Sequence, residues 1–122
     1  MAKGFAQHKV IDAGSMTGTD TITSSITDTL GLDNCSYQMV WTGTPNGSFS
    51  IEVSNNYVKR GSVETGDWTA LTLATAPTSP AGSASNTGVD LNGLPYRYVR
   101  LKYTNSSSTG TLNAWFFGKA AG

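Results

Sequence analysis

Apolar residues recur in this chain at every second position and in no sustained 3.6-residue stripe, which confines it to β-structure. The clearest run is Tyr37-Gln38-Met39-Val40-Trp41-Thr42, with Tyr37, Met39 and Trp41 on one face. Gly43-Thr44-Pro45-Asn46-Gly47 follows, and an Asn-Gly pair between alternating runs is a strong hairpin signal. Phe49-Ser50-Ile51-Glu52-Val53-Ser54 then alternates without a fault. These two runs are expected to pair as a hairpin.

The C-terminal third repeats the pattern. Tyr96-Arg97-Tyr98-Val99-Arg100-Leu101-Lys102-Tyr103 sets Val99, Leu101 and Tyr103 inward and Arg100 and Lys102 outward. A polar tip at 104–110 leads to the return run Thr111-Leu112-Asn113-Ala114-Trp115-Phe116-Phe117. Apolar residues of both parities there predict burial on both faces or an edge covered by the same sandwich or by a neighbouring subunit. Weaker strands are expected at 8–12, 19–27, 68–74 and 87–91, with a short one within 57–63. Thr27-Asp28-Thr29-Leu30 reads as a single helical turn capped by Asp28, and 75–87, with Pro77 and Pro80, as an exposed loop. The fold class is all-β: a single antiparallel β-sandwich, jelly-roll-like, of about eight strands. Its parts are an N-terminal arm or first strand at 1–18, the sandwich at 19–119 and a short tail at 120–122. Within the first part, Phe5, Val10 and Ile11 are isolated apolar anchors in a polar segment. Such a segment suits an arm laid across a neighbour as well as an ordinary terminus entering the first strand.

Composition narrows the function. The chain has 122 residues, the size of one domain, with eight Lys/Arg balancing eight Asp/Glu. Clustered basic residues, which nucleic acid and anionic lipid require, are missing, so neither is expected as a partner. No stretch approaches the about 20 apolar residues that cross a membrane. No secretory signal is expected, and the single cysteine, Cys35, cannot form an intrachain disulfide. Synthesis in a reducing cytoplasm and stability from packing or assembly are the expectation.

Candidate chemistry is sparse. A Cys35–His8 dyad would need the only histidine beside the only thiol, and a cysteine at a strand start ordinarily packs as a small hydrophobe. Zinc lacks ligands; the oxygen ligands open to calcium are Asp20, Asp28, Asp33 and Asn34, but these have no EF-hand spacing and are ordinary turn residues. Glu52, Glu64, Asp67 and Asp90 are the carboxylates from which a glycosidase pair would have to be drawn. Trp41 and Trp115 read as core and Trp68 as half-exposed at a strand entry, where an indole can stack on a sugar. Lys59, Arg60, Arg97, Arg100 and Lys102 form either a small positive patch or a solvated strand face. Asn46 and Asn105 open Asn-x-Ser sequons that carry no weight without a secretory route. No enzyme activity, catalytic residue, metal or cofactor is expected, and partner-binding residues are not assigned.

Several runs, in order, resemble a known group. They are Trp41-Thr42-Gly43-Thr44-Pro45-Asn46-Gly47-Ser48-Phe49-Ser50-Ile51-Glu52-Val53-Ser54-Asn55, Gly66-Asp67-Trp68-Thr69-Ala70-Leu71, the stretch 90–103 containing Tyr96-Arg97-Tyr98-Val99-Arg100-Leu101, and Ser108-Thr109-Gly110-Thr111-Leu112-Asn113-Ala114. Across 38–119 the chain is similar to small β-sandwich virion proteins of tailed bacteriophages, and the Tyr-Arg-Tyr-Val-Arg-Leu run is also similar to discoidin-like sandwiches. The resemblance implies a capsid decoration or cement protein, a short jelly roll that bridges capsid subunits. It further implies a homo-oligomer (a trimer is favoured), contact with the major capsid protein or another virion protein, and a place in the virion after synthesis in a bacterial host cytoplasm. A tail, neck or head-fibre component and a module that binds host glycan through Trp68 and the 75–87 loop are the alternatives. The resemblance carries no site residues.

Overall fold

The computed structural model describes residues 5–120, and every regular element among them is a strand. In chain order these are β1 (Phe5–Thr17), β2 (Thr21–Thr23), β3 (Thr27–Asp28), β4 (Asn34–Gly43), β5 (Asn46–Ser54), β6 (Val58–Arg60), β7 (Val63–Thr65), β8 (Thr69–Ala70), β9 (Ser85–Asn92), β10 (Tyr98–Ser107) and β11 (Thr109–Lys119). One sheet has the order β1-β11-β4-β9 and the other β2-β10-β5-β8, with β3 joined to β10 beside β2. Residues 1–4 of the expected arm and 121–122 of the expected tail lie outside the described residues.

β2 and β3 are two segments of one edge strand. Thr23 pairs with Lys102 and Thr27 with Val99, and between them the Ser24 amide donates to the Leu101 carbonyl at 2.8 Å. With that strand counted once and the two-stranded ribbon β6–β7 set aside, eight strands remain. The first pairs with the last (β1·β11), the second with the seventh (β2/β3·β10), the third with the sixth (β4·β9) and the fourth with the fifth (β5·β8), all antiparallel. A long antiparallel ribbon rolled up in this way is a jelly roll. The all-β antiparallel sandwich expected from the alternation is therefore present, with more strand segments than expected.

The alternation assigned the faces correctly. Tyr37, Met39 and Trp41 of β4, Ile51 and Val53 of β5, Val99, Leu101 and Tyr103 of β10, and Leu112, Ala114 and Phe116 of β11 are all buried between the sheets. Aromatic rings run across the layer, with Trp41 5.7 Å from Phe49 and Phe49 5.0 Å from Tyr103. β1 spans Phe5–Thr17 as a strand on its own sandwich. Its ladder shifts register on both sides of Ile11, a bulge that turns both Val10 and Ile11 inward.

The expected hairpins are not hairpins. β4 lies between β11 and β9, whereas β5 lies between β10 and β8 in the opposite sheet. The chain crosses from one sheet to the other at Thr44 and Pro45, and it crosses back at Ser108 between β10 and β11. A two-residue type I′ turn needs positive φ at both central residues. Neither Asn46 nor Gly47 has it; the left-handed residues are Gly43 (φ 84°) and Ser108 (φ 67°), one in each crossing. The two arches stack. The Thr44 amide donates to the Thr109 carbonyl at 2.9 Å, Gly43 faces Gly110 in one sheet, and Asn46 faces Ser107 in the other. A Cβ on Gly110 would strike the Thr42 carbonyl oxygen and lie 3.1 Å from the Pro45 ring.

Asn105 seals the arches from within. It is 1% exposed, accepts the Tyr103 hydroxyl proton at 2.7 Å and donates to the carbonyls of Gly18 (2.8 Å) and Ser108 (3.3 Å). The expected exposed loop is tied down over the same end. Pro80 is buried and its carbonyl accepts the Gly47 amide (3.2 Å), the Gly82 amide donates to Pro45 (2.9 Å), and the Trp41 indole donates to Ser83 (2.9 Å). The expected helical turn at 27–30 is instead the end of β3 followed by a turn. Asp28 still caps, accepting the Leu30 amide at 3.0 Å, but Thr27 and Asp28 are held in the ladder by Val99 and Tyr98.

Two outcomes follow from this packing. Gly110→Ala is expected to cost about 1–3 kcal/mol in denaturant unfolding, as overpacking does, because its neighbour is backbone. Tyr37 carries a buried hydroxyl beside Ser24 and Thr27 that meets no hydrogen-bond criterion with any of the described residues, and burial pushes its phenol far above the ordinary range. Tyr37→Phe should leave stability unchanged or raise it by up to about 1 kcal/mol; a comparable loss would show that the hydroxyl is bonded.

Candidate functional site

A jelly roll needs only a short turn from β5 to its neighbour β8, yet the chain inserts the ribbon β6–β7 between them. All six strand residues of the ribbon are exposed, Val63 at 61%, so it contributes nothing to the core. Its neck is nevertheless fixed. The Asn56 side-chain amide donates to Asp67 Oδ2 at 3.0 Å, and the Asp67 backbone amide donates to Asn56 Oδ1 at 2.9 Å. Gly66 (φ 147°) lies against the Tyr57 backbone, where a side chain has no room.

At the base of the ribbon, three aromatic rings and an arginine pack on the outer face of the β10–β5 sheet. Tyr57 meets Tyr98 edge-on at 5.2 Å and lies 5.8 Å from Trp68. The Arg100 guanidinium sits 4.2 Å over the Trp68 ring and is bound to Glu52 at 2.8 Å, with both side chains largely buried. Lys102 approaches the second Glu52 oxygen at 3.9 Å. The irregular edge at Thr23, Ser24, Ser25 and Ile26 faces the ribbon, and between them runs a half-open groove of about 530 Å³.

The groove's charges cancel locally. Arg100 is matched by Glu52, and Lys59 stands opposite Glu64 in the ribbon. Glu64 accepts the Tyr57 hydroxyl proton at 2.6 Å, and that hydrogen bond raises the Tyr57 pKa and keeps the phenol a donor. The arrangement offers fixed aromatic surface with neutral and charge-assisted hydrogen-bonding groups. It offers no nucleophile beside a base.

The remaining candidates are dispersed. His8 Nε2 lies 3.2 Å from the Thr27 hydroxyl and its ring stacks on Phe116, while Cys35 is buried opposite Gly118 with its thiol pKa raised by burial and by Asp33. Among the described residues no three His, Cys, Asp or Glu side chains are grouped to hold a metal. Asp28 is bound by Arg97 at 3.1 Å. Glu52, Glu64 and Asp67 each have a different partner, and Asp90 stands on the other sheet. Arg97 is paired with Asp28, and Arg100 and Lys102 share Glu52, so the three cations of this strand face two carboxylates. The buried Asn105 is closed to glycosylation in the folded protein. Trp41 is core as expected and Trp68 is half-buried, but Trp115, expected in the core, is half-buried on the outer parity of β11, opposite to Leu112, Ala114 and Phe116. Nothing in the sequence linked Tyr57 and Glu64 to Trp68; only the insertion's fold brings them together.

A second surface lies on the opposite side. β11 is central, flanked by β1 and β4, so its mixed parity is not that of a covered edge. Phe117 is 40% exposed and stacks on Phe5, itself 69% exposed, and Lys9 covers the half-buried Trp115 at 5.3 Å. With Val40, Gln7, Ser36 and Gln38, the Trp115 and Phe117 rings border a depression of about 370 Å³.

No protein-family model matches this chain, and no curated protein matches it. Solved structures do. The chain is similar to a chain in the structure of infectious bursal disease virus Gx strain, with a TM-score of 0.56, 10% identity and coverage of 98% of this chain and 33% of that one. It is also similar to VP2 in the infectious bursal disease virus subviral particle, with a TM-score of 0.55, 12% identity and the same two coverages. The likeness is one of fold. This chain spans a third of the length of those viral particle chains.

The Arg97–Asp28 pair ties β3 to β10 and generates a pH test. The hydrogen bond from Arg97 holds the Asp28 carboxyl below its ordinary range. Its stabilising contribution is therefore present above the unfolded carboxylate pKa of about 3.9 and lost as pH falls through the lower folded value. Both groups are nearly half exposed, so solvent screening keeps the effect small. Asp28→Asn should narrow the difference in melting temperature between neutral pH and about pH 3.

Proposed function

We propose that this chain is a structural protein of a virus particle, a jelly roll that decorates a bacteriophage head and cements neighbouring shell subunits. The observation that carries the reading is the pairing order of the eight strands, first with last through fourth with fifth. That architecture recurs in viral shells, and chains from a virus particle share its fold over 98% of this sequence. The resemblance of 38–119 to tailed-phage sandwich proteins supports the same reading. No enzymatic activity is proposed, since adhesion needs only surface.

The surface assigned to the shell contact is the outer face of β1, β11 and β4. Exposed aromatic rings grouped on one face mark interaction surfaces, and Phe5, Phe117 and Trp115 are such a group. The neighbouring Gln7, Ser36 and Gln38 are uncharged, and Lys9, which lies over Trp115, is already paired with Asp12 at 2.9 Å, so a protein partner meets little unpaired charge beside these rings. Several copies, in a trimer or a comparable ring, would stand close together without strong self-repulsion, because eight Lys/Arg balance eight Asp/Glu.

Quantitative mass spectrometry of purified particles tests the reading. A head cement protein is expected at a copy number comparable to that of the major capsid protein; a tail, neck or fibre component would appear at a far lower one. Phe117→Asp should fold normally and lose occupancy on the particle. A chain absent from particles, or one whose occupancy ignores Phe117→Asp, refutes the proposal or its assigned face respectively.

A further inference from the structure

We infer that the groove between the ribbon β6–β7 and the edge at Thr23, Ser24, Ser25 and Ile26 is a binding site for an uncharged saccharide. Its volume of about 530 Å³ falls within the usual span of small-ligand clefts. The class of ligand follows from what the walls present. Trp68 and Tyr57 supply half-buried aromatic surface, suited to the C–H faces of a sugar ring. Glu64 accepts one proton from Tyr57 and has a second oxygen able to accept another. Ser25 contributes a hydroxyl that both donates and accepts. Arg100 uses Nε and one terminal nitrogen on Glu52 and retains other N–H donors.

A sugar hydroxyl also donates and accepts, so it can satisfy this mixed lining at every point. A phosphate or carboxylate is an anion, and it would meet Glu64 and the Glu52-compensated Arg100 without a net positive field to offset its desolvation. An amine would meet Lys59 and Arg100. Local neutrality therefore selects an uncharged polar ligand.

The groove is also prearranged. Arg100 is fixed between the Trp68 ring and Glu52, and the Asn56–Asp67 clamp fixes the ribbon, so little side-chain freedom is left to lose on binding. The core does not use the ribbon, which leaves the wall it provides as its evident purpose. The site lies on the outer face of the β10–β5 sheet, the side of the sandwich opposite Phe5 and Phe117. A chain seated by its aromatic face would present the groove outward. Saccharide binding itself does not depend on that seating.

The test is a titration of isotope-labelled full chain with lactose, maltotriose and chitotriose, with sialyllactose and inorganic phosphate as charged probes. Indole N–H signals report site by site, and Trp41, bonded to Ser83 in the core, serves as the unmoved reference. At least one neutral sugar is expected to shift the Trp68 signal saturably while phosphate does not. Trp68→Ala should weaken that binding about tenfold or more. Glu64→Gln, an exposed change outside the core, should weaken it by about tenfold, the loss of one charge-assisted hydrogen bond. If Trp68→Ala fails to fold, Glu64→Gln decides alone. The proposal is overturned if no neutral sugar moves Trp68 at tens of millimolar, if a charged probe binds more tightly than all of them, or if binding survives Glu64→Gln unchanged. Particle copy number would be unaffected by any of these outcomes, so the two proposals fail separately.

Discussion

Two chain crossings, stacked one on the other, fix how the two sheets face each other. β4 passes to β5 through Thr44 and Pro45, β10 passes to β11 through Ser108, and the Thr44–Thr109 hydrogen bond locks one crossing over the other. The same contact therefore sets the register of β4 against β11 and of β5 against β10. In a strand, a slip of one residue would send every inward side chain to solvent, here including Trp41, Ile51, Leu101 and Leu112 at once. The glycine pair Gly43 and Gly110 permits the approach, and a fully buried asparagine with three hydrogen-bond partners fixes it. A buried amide is costly when unsatisfied and adds specificity when it is satisfied, because few alternative packings could bond it as well.

This end of the molecule is also where reading the sequence went astray. Period-two alternation reports which face of a strand is apolar, and it did so correctly for β4, β5, β10 and β11. It does not report the partner. Two consecutive strands with one apolar face each are equally compatible with a hairpin, where both lie in one sheet, and with an arch, where their apolar faces meet across the core. Asn46-Gly47 tipped the reading toward the hairpin, but both residues lie inside β5, where Gly47 makes room for the Tyr103 hydroxyl. The polar tip at 104–110 misled for a related reason. Asn105 is polar by composition and interior by position, and its partners come from Gly18 and Tyr103, the first of them far along the chain.

The candidate groove was legible only in fragments. Trp68 at a strand entry and an outward Arg100 could be read from local pattern, and they are indeed half-exposed neighbours. Their stacking could not, since Arg100 belongs to β10 and Trp68 follows the ribbon. The ribbon was read only in part, as a short strand within 57–63 that holds β6 but not β7, and for a different reason. Its strands have no buried face, so Val58, Val63 and the residues between them carry no alternation to detect. Elements that serve the core announce themselves in hydrophobic pattern; elements that serve only a surface do not.

That difference has a consequence for how the molecule divides its work. The core and the stacked arches depend on residues whose replacement disturbs both sheets. The ribbon is joined to the sandwich through a neck closed by Asn56 and Asp67, and its six strand positions are all exposed. Substitutions within 58–65 can thus reshape one wall of the groove at little cost to folding, while the opposite aromatic face, built on the central strand β11 between β1 and β4, is constrained by the sheet beneath it. A small jelly roll built in this way can keep one face fixed for assembly and leave the other free to change what it binds.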